Sequence, residues 1–287
     1  MKRISAVLAA FIIAAALLEG CGAGSADIEA EADVMTVTFT DVGKGDCILI
    51  EKDGKTVMID TGYEDTSEAV MTLLEEKGIE VIDVLIITHY DKDHVGGAAK
   101  IAGNIETGQI YIPCYEGQSR YYKAFMSVIE EAGLKAQKVT EDVSFTLAGI
   151  SFTILASDVE YVSDAGDEGN DNDVSLVVSA VYGDDSYLFL GDLEKEGIKS
   201  FLKKDPGIWD VVKMPHHGKK ESNSSELIKA LSPVIAVITD SADDPAADKV
   251  LDLLEEVSAK VLRTGERGTV EISGTGTGEY SIKTAVQ

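Results

Sequence analysis

The sequence predicts a layered α/β protein, specifically a four-layer αββα sandwich, from three observations. Short runs rich in β-branched residues, separated by turn-forming residues, occupy both halves of the chain. Amphipathic helical patterns alternate with these runs. Hydrophobic residues make up 45% of the 287 residues, which is enough for one large core. Strands with peripheral helices in two successive halves favour two central sheets covered by helices.

The first half contains four predicted strands and two predicted helices. Three β-rich runs (MTVTFT, CILIE and TVMID) begin at Met35, and the turn signals between them predict antiparallel strands that follow one another. Residues 81–88 (VIDVLIIT) form a nearly continuous apolar run, as expected for a strand covered on both faces. The two helices have inward-facing residues at Val70, Leu73 and Leu74 in the first and at Tyr122, Phe125, Met126 and Ile129 in the second.

The second half repeats this arrangement. The runs VSLVVSAVY, SYLFL, WDVVKM and PVIAVIT predict strands that each close in polar or glycine-containing residues. Asp244 and Pro245 then predict the start of a helix, as an acidic N-cap followed by proline at the first helical position. The inward-facing residues of this helix are Ala247, Val250, Leu251 and Leu254. Residues 164–173 are polar and predict a loop, and no linker divides residues 35–287.

The N-terminal residues are typical of an export signal. Lys2 and Arg3 precede an apolar run that is shorter than the roughly 18 residues a spanning helix needs. The four residues that end at Cys21 (LEGC) resemble a bacterial lipobox, although Glu19 departs from that pattern. We therefore predict a signal peptide over residues 1–20, a lipid on Cys21 that holds the protein to a membrane, and an acidic flexible tether over 21–34. Plain secretion and an uncleaved anchor are the alternatives.

Composition limits what the chain can bind. The 25 Lys and Arg residues against 51 Asp and Glu residues leave a net charge of −26, which repels phosphates on average. A nucleic acid or anionic lipid would therefore need local positive charge from a metal. Of the 3 cysteines, Cys47 and Cys114 have no metal-ligand spacing, and whether they pair is left open.

The segment that follows the apolar run 81–88 carries the most informative chemistry. His89, Asp91, Asp93 and His94 place four metal-ligand side chains within six residues. His89 and Asp91 point to the same side if the chain stays extended, and a turn brings the other two to face them. Glycines at 96–97 permit the tight turn into the next helix. Imidazole with carboxylate suits zinc, iron or manganese.

This motif resembles the metal-binding signature of the metallo-β-lactamase superfamily. Its variant with Asp at the second position is similar to the extracellular hydrolase domain of the ComEC DNA-uptake proteins. Five further motifs match that family in order. They are Asp41–Asp46 (DVGKGD), Ile59–Gly62 (IDTG), Asn172–Ser175 (NDVS), Gly191-Asp192 and Pro215–Gly218 (PHHG). The resemblance implies that residues 35–287 form a hydrolase domain with the αββα fold of this superfamily.

The resemblance also implies a ligand set for two divalent metal ions. His89 and Asp91 would hold the first ion, and Asp93 and His94 the second. Asp192 would bridge the ions or bind the second, and His217 is favoured to complete it, which leaves His216 to meet a substrate oxygen. Asp93 and His216 are thus the expected catalytic residues. Asp46, Asp60, Asn172 and Ser175 would support the ligands or contact the substrate.

One departure from the family pattern concerns the first metal ion. Related hydrolases add a further histidine there, whereas all 4 histidines of this chain already lie in the motifs. Asn172, Asp171 or Asp173 could replace it, and the sequence does not choose among them. Because the ligands are then rich in oxygen, the preference moves from zinc alone toward zinc or manganese.

The resulting expectation is an exported, monomeric hydrolase that uses two metal ions to activate water and cleave a phosphodiester, with DNA as the favoured substrate. Other phosphodiesters of the phosphorylcholine type, lactones, and a non-catalytic metal-binding surface protein are the alternatives. Lys213 and Lys219 are among the basic residues nearest the motifs, and they either bind a phosphate or lie on a solvated face.

Overall fold

Two β-sheets form the centre of the computed structural model, which describes residues 33–162, 170–204 and 206–286. The first sheet has eight strands, in the spatial order β15-β14-β1-β2-β3-β4-β5-β6. They are β1 (Met35–Phe39), β2 (Ile48–Lys52), β3 (Lys55–Ile59), β4 (Val81–Ile86), β5 (Glu106–Pro113), β6 (Ala136–Val139), β14 (Val270–Gly274) and β15 (Tyr280–Thr284). All these residues belong to one compact unit, Asp33–Gln287.

The second sheet has seven strands, in the spatial order β13-β12-β11-β10-β9-β8-β7. They are β7 (Val143–Leu147), β8 (Ile150–Leu155), β9 (Val177–Tyr182), β10 (Asp185–Phe189), β11 (Val211–Lys213), β12 (Ile235–Ile238) and β13 (Lys260–Arg263). The inner faces of the two sheets share one core, in which Phe39 and Ile50 of the first sheet cluster with Phe152 and Phe189 of the second.

Helices cover the outer face of each sheet. They are α1 (Ser67–Glu76), α2 (Lys92–Val95), α3 (Ala98–Asn104), α4 (Arg120–Glu131), α5 (Lys195–Leu202), α6 (Ser224–Leu231), α7 (Asp248–Glu256) and α8 (Thr264–Arg267). Apolar side chains of α1, α3 and α4 cluster with the first sheet, and those of α5, α6 and α7 cluster with the second. The order helix, sheet, sheet, helix confirms the predicted four-layer αββα sandwich.

Strand direction brings the polar segments of the sequence together. β3, β4 and β5 are parallel neighbours in the first sheet, and β10, β11 and β12 are parallel neighbours in the second. Parallel strands end at the same edge of their sheet, where ligands of α/β sheets usually bind. The segments after β3, β4, β10, β11 and β12 carry Asp60, His89, Asp192, His217 and Thr239 respectively.

The helix predicted to start at Asp244 begins later than expected. The structure starts α7 at Asp248, with Ala247 extended just before it. Two tertiary hydrogen bonds explain the delay, because Ala246 N donates to Asp240 Oδ2 (2.8 Å) and Ala247 N donates to Gly218 O (3.0 Å). These bonds hold the local helix-start signal in an extended conformation. The strands β5 to β8 and β13 to β15 are also absent from the predicted set.

Several expectations lie outside the described residues. The signal peptide over residues 1–20, the lipid on Cys21 and most of the 21–34 tether fall there, as does most of the 164–173 loop. Across the described ranges, no helix has the length and hydrophobicity needed to cross a membrane. The remaining two cysteines are both free, since Cys47 is buried and Cys114 is exposed.

Candidate metal centre

Asp60, in the segment after β3, contacts both ends of the histidine motif that follows β4. Its Oδ1 accepts a hydrogen bond from Thr88 N (2.7 Å), and its Oδ2 accepts one from Thr88 Oγ1 (2.6 Å). The same Oδ2 lies 2.8 Å from His94 Nδ1. Because a carboxylate only accepts, His94 must carry its proton on Nδ1, which leaves Nε2 free to bind a metal.

The hydroxyls of Thr88 and Thr239 orient the other two inward-facing histidines by the same logic. Thr239 Oγ1 donates to Asp46 Oδ1 (2.6 Å) and therefore accepts from His217 Nδ1 (3.1 Å). Thr88 Oγ1 donates to Asp60 and therefore accepts from His89 Nδ1 (3.1 Å). All three imidazoles thus present Nε2 to the interior of the pocket.

Four buried or partly buried side chains converge at the edge where the parallel strands of both sheets end. Ligand atoms of Asp93, His94, Asp192 and His217 all lie within 4.8 Å of one another. His217 Nε2 is 3.0 Å from Asp192 Oδ2 and 3.4 Å from Asp93 Oδ2. His94 Nε2 is 3.3 Å from Asp192 Oδ1. We call these four residues the tight group.

The tight group fits a divalent cation. The Nε2 atoms of His94 and His217 are buried and lack a hydrogen bond of acceptable geometry, although carboxylate oxygens lie close by. The contacts are therefore close but poorly directed, as expected for atoms that face a shared ion. Ligands about 2.1 Å from a tetrahedral zinc ion lie about 3.4 Å apart, which is similar to the separations seen here.

Charges in the tight group support one another. Burial alone would lower the pKa of His94, but Asp192 and Asp60 outweigh it and raise that pKa well above its usual value. Burial opposes ionisation of Asp192, yet His217, His94 and Lys213 hold its pKa well below the usual range. Without a metal ion both groups therefore favour their charged forms, and a cation that binds His94 Nε2 would displace the proton held there.

Lys213 lies beneath the tight group and is fully buried. Its Nζ forms an ion pair with Asp46, donates to Gly191 O (3.0 Å) and lies 3.4 Å from Asp192 Oδ1. Burial lowers the pKa of Lys213, but Asp46 and Asp192 raise it by more, so the ammonium stays charged. Lys213 is thus neither on a solvated face nor free to bind a phosphate, which corrects the sequence-based alternatives for this residue.

His216 and His217 diverge because the chain between them is left-handed. Their φ angles are 47° and 53°, conformations that non-glycine residues adopt only at an energetic cost. The two rings lie 6.2 Å apart at 70°, with His217 in the tight group and His216 outside it. His216 Nδ1 lies 3.1 Å from Glu194 Oε1, and its Nε2 lies 2.9 Å from Lys219 Nζ.

The residues expected at the first ion form a looser arrangement. His89 Nε2 is 3.7 Å from Asp91 Oδ2, and the His89 ring is 4.0 Å from that of His94. His89 Nε2 is buried and has no hydrogen-bond partner. Within the described residues, no set of three ligands as close as the tight group includes His89 and Asp91.

The remaining predicted residues have distinct positions. Ser175 Oγ accepts from Asp192 N (3.3 Å) and so helps to place the loop that carries Asp192. Asn172 Nδ2 donates to Glu194 Oε1 (3.0 Å), on the side of His216. Asp46 and Asp60 lie behind the histidines. Asp60 contacts His94 directly and His89 through Thr88, and Asp46 contacts His217 through Thr239.

Thr88, Thr239 and Glu194 are site residues that the sequence reasoning did not name. Thr88 and Thr239 directly follow apolar strand sequences, and this position could have indicated that they belong to the site. Glu194 follows the Gly191-Asp192 motif by two residues but has no distinctive pattern of its own.

Comparison with known proteins identifies related sequences and folds. Residues 40–238 match the family model described as the metallo-beta-lactamase superfamily. ComE operon protein 3 of Bacillus subtilis is 30% identical over 82% of this chain and 32% of its own length. Competence protein ComA of Neisseria gonorrhoeae is 27% identical over 86% of this chain and 33% of its own. The chain therefore spans about a third of these curated relatives.

A solved structure supports the fold independently. The metallo-beta-lactamase fold protein YhfI from Bacillus subtilis superposes with a TM-score of 0.55 at 14% identity. The match covers 84% of this chain and 100% of that protein. At this identity the likeness concerns the fold, and the chemistry must be argued from the residues of this chain.

Proposed function

This chain belongs to the metallo-beta-lactamase superfamily, and on that premise we propose that it is an exported metal-dependent hydrolase that cleaves phosphodiesters, with DNA as its substrate. The convergence of Asp93, His94, Asp192 and His217 carries the proposal, because it places two unpartnered imidazole nitrogens against two carboxylates. Such a donor set suits zinc or manganese. The competence protein among the relatives supports DNA as the substrate.

The tight group would hold one ion, and His89 with Asp91 would hold another. When bound, paired divalent ions supply Lewis acidity and a water that is a better nucleophile near neutral pH. Asp60 and Asp46 keep the histidines in the tautomer that this requires. His217, His94 and Lys213 together hold the pKa of Asp192 low, so this buried carboxylate stays ionised.

Asp93 can orient the attacking water from within the tight group. Burial opposes its ionisation, but the close approach of His217 Nε2 (3.4 Å) and the charge of His94 hold the pKa of Asp93 well below the usual range. An Asp93 carboxylate with so low a pKa accepts hydrogen bonds and retains no proton near neutral pH. Its role is therefore to position the water rather than to store the proton that the water loses.

His216 is placed to serve the leaving group. Glu194 lies against its Nδ1 and thereby directs Nε2 toward the exposed Lys219 ammonium. Because an ammonium only donates, Nε2 accepts from Lys219 in this contact. Once Lys219 turns to attract the substrate phosphate, Nε2 could take up a proton from solvent and pass it to the departing oxygen. Substitution of His216 should then lower kcat more than substitution of exposed Lys219.

The net charge of −26 favours a second candidate, the hydrolysis of a small phosphodiester such as a phosphorylcholine ester. A polyanion must approach a surface that repels it, whereas a small zwitterion does not. DNA cleavage should consequently increase with moderate salt, up to the point where screening also weakens productive contacts.

A substrate panel tests both candidates. Purified protein is assayed with manganese or zinc on single-stranded DNA, double-stranded DNA, a nitrophenyl phosphodiester and a lactone. His94→Ala should reduce turnover by more than about 100-fold, since loss of a residue that merely supports a ligand already costs 10–100-fold. Asp142→Asn, at a partly exposed surface position, is the matched control.

The panel separates the alternatives clearly. If only the small diester is cleaved, the substrate is a small phosphodiester and not DNA. If only the lactone is turned over, the enzyme hydrolyses carboxylic esters instead of phosphodiesters. A folded protein that binds metal but turns over no substrate would overturn the proposal in favour of a metal-binding surface protein.

We also propose that the protein is a lipoprotein anchored through Cys21 outside the cytoplasm. The support is the sequence pattern alone, because residues 1–32 lie outside the described structure. Labelling cells with a radioactive fatty acid should mark the wild-type protein and leave Cys21→Ser unmarked. Label retained by the variant would contradict the assignment, and a wild-type protein recovered unlabelled from the medium would instead indicate plain secretion.

A further inference from the structure

We propose that Asp171 is the third protein ligand of the ion held by His89 and Asp91, and that this ion binds more weakly than the one in the tight group. The proposal rests on the proposed metal-dependent function. Asp171 would then replace the missing histidine at this ion. The sequence alone leaves Asp171, Asn172 and Asp173 as equal candidates for that role.

A shared tyrosine places Asp171 beside the His89–Asp91 pair. The Tyr115 hydroxyl accepts a hydrogen bond from Tyr90 N (3.2 Å), and Tyr90 is the residue between His89 and Asp91. The same hydroxyl is hydrogen bonded to the Asp171 side chain. A single hydroxyl therefore links the Asp171 carboxylate to the backbone that carries both ligands.

The Asp171 carboxylate has one oxygen to offer. Asp171 is only 9% exposed, and its Oδ1 is buried without a hydrogen-bond partner. The hydroxyls of Tyr115 and Tyr161 bond the side chain, and their stacked rings (4.2 Å, 20°) restrict its position. His89 Nε2 is likewise buried without a partner, and the backbone hydrogen bond from Leu176 N to Thr88 O (3.0 Å) holds the segment after Asp171 beside the residue before His89.

The other two candidates face elsewhere. Asn172 donates from Nδ2 to Glu194 Oε1 (3.0 Å), so its amide lies on the His216 side of the pocket. Asp173 Oδ1 accepts from Gly197 N (2.7 Å), which directs this carboxylate to the first turn of α5. The three adjacent side chains therefore point to three different neighbours, and only that of Asp171 is next to His89 and Asp91.

Electrostatic effects agree with this placement. Burial and the nearby Asp91 carboxylate together raise the pKa of Asp171 to about 6, while the bond with Tyr115 and the proximity of His89 act in the opposite direction. Asp91 and His89 are thus close enough to Asp171 to affect its pKa. A divalent cation between them would remove the repulsion between the two carboxylates.

The difference in affinity follows from the geometry and from the ligand types. The tight group offers two imidazoles and two carboxylates that already converge within 4.8 Å. His89, Asp91 and Asp171 offer one imidazole and two carboxylates that must move closer to share an ion. Fewer nitrogen ligands and less preorganisation predict weaker binding, with a relative preference for manganese over zinc.

Titration with Mn²⁺ alone tests the proposal. Equilibrium dialysis with elemental analysis should count two ions in the wild type, and electron paramagnetic resonance should detect magnetic coupling between them. Asp171→Asn should retain one tight ion, lose the coupling and weaken the second ion by at least tenfold. Asp173→Asn, the matched control, should retain both ions, because its carboxylate contacts the helix.

Each contrary outcome has a definite meaning. Two ions with wild-type affinity in Asp171→Asn would overturn the proposal, as would loss of the weaker ion in Asp173→Asn or Asn172→Ala. A wild type that binds only one ion would also overturn it. Asp171→Glu should recover part of the affinity, and a thermal melt verifies that each variant is folded. Because metal is counted without substrate, absence of turnover would bear on the proposed function and not on this ligand.

Discussion

At the scale of single residues, Asp60 and Asp46 control which nitrogen His89, His94 and His217 present to the interior. They do so from behind the rings, through Thr88, Thr239 and a direct contact with His94. A histidine freed from such a partner can hold its proton on either nitrogen, so only part of the population can bind metal. The aspartates thus contribute to metal affinity without contacting the ion.

Asp60→Asn tests this contribution. The amide can still contact His94, but it no longer enforces one tautomer, so zinc affinity should fall by about 10–100-fold. Competition with a chromogenic chelator measures the affinity. Asp65→Asn, at an exposed position, is the control and should bind zinc like the wild type. Unchanged affinity in Asp60→Asn would show that the backbone alone orients His94.

Lys213 is the second residue whose role depends on its burial. Lys213→Met leaves Asp46 and Asp192 buried without their cation, and such a loss typically destabilises a protein by about 3–5 kcal/mol. We expect that loss in urea unfolding with chelator present. Saturating zinc should restore part of the stability, because a bound cation compensates the same carboxylates. An equal loss with and without zinc would contradict the proposed electrostatic role of Lys213.

At the scale of elements, the glycines at the start of α3 serve close packing. Gly96 and Gly97 have ordinary helical φ angles of −58° and −83°, so they are not required for a left-handed turn. A side chain at Gly97 would instead place its Cβ 2.6 Å from Thr61 O. The glycine lets the metal-binding turn approach the segment after β3, from which Asp60 reaches His94.

Gly97→Ala should therefore destabilise the protein by about 1–3 kcal/mol, the usual range for overpacking. Gly103→Ala, six residues later in α3, is the matched control, because its new Cβ would meet only Val128 at 3.6 Å. That variant should be neutral or more stable by up to about 1 kcal/mol, since alanine favours helices. Chemical denaturation measures both, and similar effects in the two variants would refute the packing explanation.

At the scale of the whole molecule, acidity sets the pH at which the fold is most stable. Charge repulsion from the −26 net charge decreases as pH falls. Burial raises the pKa of Asp171 and of Asp173, so these groups bind protons more tightly when folded. The contribution of Asp171 favours the folded state increasingly as pH falls through about 6, and that of Asp173 has the same sign. Asp83 has the opposite effect on stability. Burial raises its pKa, but the hydrogen bonds from Lys55 and Thr56 N lower it by more, so its contribution is lost as pH falls.

These signs predict a maximum in thermal stability on the acidic side of neutrality. The melting temperature, measured in chelator, should rise as pH is lowered from 8 and fall again below about 4, where carboxylates such as Asp83 lose their partners. Added salt should stabilise the protein more at pH 8 than at pH 5, since it screens repulsion. A melting temperature that decreases steadily from pH 8 downward would contradict this account.

The success of the sequence-based predictions depended on how local their signals were. The helix predicted from Val70, Leu73 and Leu74 was found as α1, because its apolar spacing is a property of ten adjacent residues. The helix start at Asp244 was wrong because Asp240 and Gly218 compete for the same backbone groups. The ligand assignment stays a prediction, although the structure brings Asp93, His94, Asp192 and His217 together.

The sequence by itself determined the αββα fold class, the family resemblance and the residue types available for metal binding. Each of these follows from patterns within short stretches of chain, or from their order. Only the tertiary structure decided that Lys213 is buried, that His216 and His217 diverge, and that the side chains of Asp171, Asn172 and Asp173 contact different neighbours. Those facts depend on contacts between segments tens to hundreds of residues apart, and local sequence patterns do not encode which of these contacts form.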